Sequence, residues 1–149
     1  MKNSLELTLK LHSLPNKKPE FLITIDNEEI KNYNAMNCIA YSDDRNLCTI
    51  KQELDSIGPH NFAIVFSNKI NTDTLVDENN NVVGDLAIEI DSVKIDDVDI
   101  THEAKSRGIY KNTGSHNDET YGYMYTNGTF TLDFITPIFL YKRNLNLIQ

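Results

Sequence analysis

The sequence predicts an all-β fold, a single jelly-roll-like antiparallel β-sandwich spanning residues 1–149. Three observations predict it. Apolar residues recur with period two along most of the chain, the spacing of a half-buried strand. Asn, Asp, Gly and Pro interrupt that alternation at short intervals, where turns belong. No long stretch repeats apolar residues at helical spacing. The count is eight to ten short strands, with no linker or internal repeat, so one domain is expected at this length.

The elements follow in order. Leu5, Leu7, Leu9 and Leu11 alternate with Glu6, Thr8, Lys10 and His12, giving a first strand with one apolar face. Leu14 to Pro19 is a turn, because its two prolines fix φ and remove donors. Phe21 to Ile25 is a second strand, closed by Asp26-Asn27. Residues 31–45 are polar and Asn-rich, with weak strand character around Cys38 to Tyr41. Thr49 to Ile57 suits either a short helix or a strand, and Gly58-Pro59 ends it. Asn61 to Ser67 is apolar on both faces, as in a central strand. Leu86, Ile88 and Ile90 alternate with polar neighbours, then the phase slips at Asp91-Ser92 and again at Asp96-Asp97. Each slip requires a bulge or a turn. Thr101 to Glu119 reads as a long polar loop containing Gly108 and Gly114. Asn127-Gly128 predicts a two-residue hairpin that would set Tyr125 opposite Phe130, Tyr123 opposite Leu132 and Tyr121 opposite Phe134.

Charge is concentrated. The chain has 14 Lys+Arg against 22 Asp+Glu and a net charge of −8. From Asp73 to Asp99 there are nine carboxylates opposed only by Lys94, so this stretch carries the whole excess. An acidic chain with three Arg is a poor partner for nucleic acid, whose binding runs on Lys and Arg. The longest apolar runs are too short to span a bilayer, so no membrane partner is expected. Residues 1–14 lack the continuous apolar segment of a signal peptide, which predicts synthesis in a cytoplasm without export. Cys38 and Cys48 have no CxxC spacing and are expected as ordinary reduced thiols, with a disulfide as the alternative.

Few constellations carry chemistry. The four histidines have no metal-ligand spacing and are expected at the surface. No serine sits in a GxSxG elbow, and no carboxylate pair stands out by spacing, so an enzyme is not expected. The acidic stretch offers hard oxygen ligands at Asp73, Asp77, Asp85 and Asp91, which would suit Ca2+. The alternative is a solvated acidic strand face with an Asn-rich tip. Asp77-x-Asn79-x-Asn81 begins like an EF-hand, but Val82 and Ile88 stand at its glycine and glutamate positions. Tyr33, Tyr41 and Tyr110 lie in polar, loop-like stretches and are candidate ligand-binding rings. Asn127-Gly128-Thr129 is also a glycosylation sequon, though the turn accounts for it.

The order of Pro19 to Asn27, Gly58 to Asn68 and Asp85 to Asp96 resembles the calcium-dependent xylan-binding type of carbohydrate-binding module. The resemblance covers residues 7 to 100 and implies a β-sandwich with Asp85 and Asp91 near a calcium ion. Lys69 stands where the family has an Asp, and Leu86-Ala87 where it has Arg-Asn. The segment from Tyr121 to Tyr141 resembles the ends of small β-sandwich proteins of tailed bacteriophages, and the Asn, Ile and Lys usage suits an AT-rich genome. Together these imply a non-enzymatic phage virion component, on the capsid surface or tail. Its expected partners are other virion proteins or copies of itself. The alternative is a free-standing Ca2+-dependent carbohydrate-binding module with glycan as its partner.

Overall fold

Period-two alternation becomes strand wherever one side of the alternation can be buried. The structure, a computed structural model, describes residues 3–30, 47–112, 117–118 and 121–139. β1 (Asn3–His12) buries all four of its alternating leucines. β2 (Phe21–Ile25) turns into β3 (Glu28–Glu29), and the ambiguous stretch after residue 46 is a strand, β4 (Leu47–Leu54). β5 (Gly58–Phe66) buries His60, Phe62, Ile64 and Phe66. A one-turn 3-10 helix (Asn71–Asp73) leads to a small ribbon, β6 (Leu75–Val76) with β7 (Val82–Gly84). β8 (Ala87–Ile95) and β9 (Val98–Asp99) precede a short helix, α1 (Thr101–Arg107). The remaining strands are β10 (Ile109–Asn112), β11 (Asn117–Asp118), β12 (Tyr123–Met124) and β13 (Gly128–Thr136).

These strands form two antiparallel layers. One sheet has the order β12-β8-β1-β4, with β9 also on β8. The other has the order β11-β10-β13-β5-β2-β3, so β5 is central, as its two-faced apolar sequence requires. Leu5, Leu7, Leu9, Ile88, Ile90 and Val93 from the first sheet share a core with Ile23, Phe62, Ile64, Phe130, Leu132 and Phe134 from the second. The architecture is the expected all-β sandwich. Thr8 pairs with Ser92 but Leu9 pairs with Ile90, leaving Asp91 as the extra residue of a β-bulge. That bulge keeps Ile88, Ile90, Val93 and Ile95 all facing the core across the slip in the pattern.

Tight hairpins form at Asp26-Asn27 and Asp96-Asp97, where the sequence closes a strand and slips its phase, but not at Asn127-Gly128. Asp26 and Asn27 have φ of 52° and 66°, and Asp96 and Asp97 have φ of 52° and 64°. These two pairs make the positive-φ turns of β2–β3 and β8–β9, because short Asx side chains tolerate that region. Asn127-Gly128 makes no such turn. β12 pairs with β8 and β13 with β5, so the chain crosses between sheets there. Tyr121, Tyr123 and Tyr125 therefore do not oppose Phe130, Leu132 and Phe134. Met124 points into the core instead, while Tyr121 and Tyr125 are exposed. Gly128 is needed for close approach, since a Cβ would sit 2.3 Å from the Lys111 carbonyl oxygen.

Three further expectations are corrected. The polar stretch after residue 100 begins as α1, preceded by Asp99, whose carboxylate accepts from the Thr101 N–H at 2.8 Å in a local Asx turn. The helix stops at Gly108, where a Cβ would lie 1.9 Å from the Phe130 ring. His60 is buried, with Nδ1 2.6 Å from Asp26 Oδ2 and Nε2 2.8 Å from the Ser56 carbonyl. Cys48 is buried and disulfide-bonded and is not a reduced thiol; Cys38 lies outside the described residues.

The Gly128 contact has a direct consequence. Gly128→Ala is expected to destabilise the fold by about 1–3 kcal/mol, because the added methyl meets main chain that cannot move without breaking the β10–β13 ladder. Urea denaturation checks this, and a midpoint equal to that of the parent chain would refute it.

Candidate functional site

The acidic stretch is the natural place to begin. Its four candidate metal ligands do not converge. Asp73 is buried beneath the 3-10 turn, and its Oδ2 accepts from Lys17 Nζ at 2.5 Å and the Ile70 N–H at 2.9 Å. Asp77 Oδ1 accepts from the N–H groups of Asn79 and Asn81 at 2.8 and 2.9 Å, an Asx arrangement that closes its own loop. Asp91 is exposed at the bulge. Asp85 stands just before β8, where its Oδ1 accepts from Lys69 Nζ at 2.7 Å, Thr74 Oγ1 at 2.9 Å and the Leu86 N–H at 2.9 Å. Among the described residues, no group of three or more His, Cys, Asp or Glu is placed to hold a metal ion. The donor set does not fit Ca2+, which takes six to eight oxygens.

The remaining acids of the stretch have local duties as well. Asp96 Oδ1 accepts from the Ser4 N–H at 2.9 Å, Asp99 makes the Asx turn ahead of α1, and Glu89 lies 3.2 Å from His12 Nε2. Asp97 faces Lys51 at 3.8 Å in solvent, where such a pair contributes little.

Around Asp85 the chain builds a pocket of about 520 Å³ lined by Lys69, Asn71, Thr74, Asp85, Tyr125 and Asn127. Lys69 enters from the end of β5, and its side chain is only 10% exposed. Besides Asp85, its ammonium donates to the Tyr125 carbonyl. The Asn127 amide clamps the Lys69 backbone from both sides: Oδ1 accepts from its N–H, and Nδ2 donates to its carbonyl, each at 2.8 Å. This use of the Asn127 amide occupies the nitrogen that the sequon would offer for modification.

Aromatic rings form the pocket's ledge. Tyr125 is 43% exposed and stacks against Tyr123 with ring centroids 6.4 Å apart. Tyr123 in turn lies 5.4 Å from the His12 ring. Burial, then the charges of Asp85 and Glu89, push the Tyr123 phenol above its ordinary value, so it stays a hydrogen-bond donor. Neither Tyr123 nor Tyr125 was singled out in the sequence as a binding ring, because the Asn127-Gly128 turn predicted both to be core. The exposed rims of β12 could only follow from its pairing with β8.

The sequence-predicted rings fare differently. Tyr110 is 1% exposed, its hydroxyl donating to the Thr126 carbonyl and lying 2.9 Å from Thr126 Oγ1. It packs in the core and offers no binding face. Tyr33 and Tyr41 lie outside the described residues. A larger groove of about 830 Å³ runs over the outer face of the second sheet, past Asn61, Ala63, Arg107, Thr131 and Asp133. His60 and Phe134 also line it but are buried, so this groove has no exposed aromatic face like that of Tyr125.

No protein-family model and no curated protein matches the chain. Among solved structures, the selenomethionine form of vCBM60 is similar, with a TM-score of 0.47 and 9% identity over 87% of this chain and 88% of that one. It is described in connection with a circular permutation linking two families of calcium-dependent carbohydrate-binding modules. No helix among the described residues is long and apolar enough to cross a membrane.

Two hydrogen-bonded carboxylates set an acid dependence. The Lys17 bond, then the Ile70 N–H, holds Asp73 below its ordinary value of 3.8, and the Asn81 and Asn79 N–H groups do the same for Asp77. A carboxyl depressed on folding contributes stability above its unfolded pKa, and that contribution is lost as pH falls through the folded value. The urea midpoint is therefore expected to fall as pH drops below about 4. Asp73→Asn is expected to be less stable at neutral pH with a shallower acid dependence. An acid slope identical to that of the parent chain would show that Asp73 is not responsible.

Proposed function

We propose that the chain is a non-enzymatic glycan-binding β-sandwich module whose ligand sits on Tyr125 beside Asp85. The observation that carries this reading is the exposed Tyr125 ring at the edge of a polar pocket. A sugar ring presents an apolar C–H face and a fringe of hydroxyls. The first packs on an aromatic face, and the second pairs with carboxylate, amide and hydroxyl groups. Tyr125 supplies the former, and Asp85, Asn71 and Thr74 supply the latter, with Asp85 and Thr74 bonded to each other. All three bonds made by Asp85 fall on Oδ1, leaving Oδ2 for a ligand hydroxyl. The resemblance to calcium-dependent xylan-binding modules points to the same ligand class. Ca2+ enters only through that resemblance, and the reading is stated for the metal-free chain because the donor set does not fit the ion.

A second reading, a phage virion component made in the host cytoplasm, is favoured by a different observation. Leu75, Val76, Val82 and Val83 are all exposed on the β6–β7 ribbon, an apolar surface suited to another virion protein or a second copy. Its support is this surface and the sequence resemblance of the segment from Tyr121 to Tyr141. Mass spectrometry of purified particles tests it: stoichiometric presence of the chain supports the reading, and its absence removes it.

For the glycan reading, calorimetry with xylohexaose and a panel of other soluble oligosaccharides is the direct measurement. At least one member is expected to bind, and Tyr125→Ala is expected to weaken it about tenfold, the equivalent of 1.4 kcal/mol. No heat with any oligosaccharide, or binding unaffected by Tyr125→Ala, would defeat the assignment of this pocket.

A further inference from the structure

Lys69 is an unusual residue to find beneath a binding pocket. Burying an ammonium costs several kcal/mol unless charge and hydrogen bonds compensate it. Here they do. Nζ lies 2.7 Å from Asp85 Oδ1 and donates to the Tyr125 carbonyl, while the Asn127 amide fixes the Lys69 backbone. An anionic oxygen and a carbonyl oxygen gathered round one positive centre form the surroundings of a bound cation, with the charge carried on a side chain.

We propose that the Lys69 ammonium is the resident cation of this pocket, and that it positions Asp85 and Tyr125 for ligand without Ca2+. A divalent ion brought to the same oxygens would have to approach a fixed positive charge at contact distance. The neighbouring carboxylates cannot move in to compensate. Asp73 is held by the half-buried Lys17, and Asp77 is engaged by its own loop. Lys69 is thus a positioning residue. It fixes the carbonyl of the residue whose ring is offered to ligand, and it fixes the carboxylate that would receive a hydroxyl. The consequence for binding rests on the glycan reading; the metal independence of the fold does not.

The test uses the full chain and no glycan. Thermal unfolding of the parent protein is measured in EDTA and in millimolar CaCl2, and the two Tm values are expected to coincide within error. Lys69→Met is expected to lower Tm by about 5 °C, because it removes the cation from the partly buried Asp85 carboxylate and the donor from the Tyr125 carbonyl. Lys69→Arg, which keeps the charge, is expected to recover part of that loss. Lys69→Asp replaces the ammonium with a second carboxylate, so its Tm is expected to rise in CaCl2 relative to EDTA, as a site that binds only the folded state requires. A rise in the Tm of the parent chain with CaCl2 overturns the proposal, and that measurement stands even if a variant does not fold. Equal CaCl2 responses in Lys69→Asp and Lys69→Met would also overturn it. Failure of every oligosaccharide to bind would sink the glycan reading while leaving these Tm outcomes intact.

Discussion

One buried ammonium ties together three parts of the chain that the topology would otherwise leave loose at this end of the sandwich. Lys69 follows β5 in the second sheet, Asp85 precedes β8 in the first, and Tyr125 begins the crossing from β12 to β13. A crossing between layers has no ladder of its own, so its main-chain groups need partners from elsewhere. The Tyr125 carbonyl finds Lys69 Nζ, and Asn127 satisfies both backbone groups of Lys69. The two Asn127 bonds are partly sheltered from solvent, which makes them worth more than the same bonds at the surface. The pocket beside Tyr125 is a by-product of that knot. Its polar lining comes from residues whose first duty is structural.

The acidic stretch takes on a different character once folded. In the sequence, nine carboxylates against one Lys look like a single electrostatic feature. In the fold they separate into individual tasks. Asp73 and Asp85 meet lysines from outside the stretch, Asp77 closes a loop, Asp96 and Asp97 make a hairpin turn, and Asp99 makes an Asx turn before a helix. Short acidic side chains suit turns and helix starts because they accept bonds from nearby N–H groups. Much of the density of Asp here therefore reflects the density of chain reversals between Asp73 and Asp99. Clustering along the chain is weak evidence for a metal when the chain turns this often.

The parts of the fold legible in the sequence are those decided by burial of one strand face. The leucines of β1, the two-sided apolar β5 and the phase slip at Asp91 all survive folding because a one-residue error would expose a whole face. What was hidden depends on partners far along the chain. Asn127-Gly128 has the best local hairpin chemistry in the sequence, yet β8 and β5 claim its two flanks for different sheets. That exchange turned Tyr125 outward and Met124 inward, and so concealed the ledge of the candidate site. Tyr110 and His60 mislead in the opposite direction. Polar neighbours suggest exposure, but each is buried with its polar atoms bonded, to Thr126 in one case and to Asp26 and Ser56 in the other. A polar side chain can enter a core when the core supplies its hydrogen bonds, and local sequence does not record that supply.

A site organised by its own lysine differs in kind from one organised by a dissolved metal. Metal occupancy follows ion concentration, so a metal-built site exists only as often as its ion is bound. A covalently attached ammonium is present whenever the chain is folded. The ordering of Asp85 and Tyr125 is then completed during folding, and a ligand meets a pocket whose geometry is already set. The cost is adaptability: of the three Lys69 donors two go to Asp85 and Tyr125, so at most one N–H faces a ligand oxygen, where a metal could offer several positions. For the proposed glycan ligand, recognition would run chiefly through the Asp85 carboxylate, the neighbouring amides and the Tyr125 ring. Lys69 therefore sets both the permanence of the pocket and the chemistry left available to its ligand.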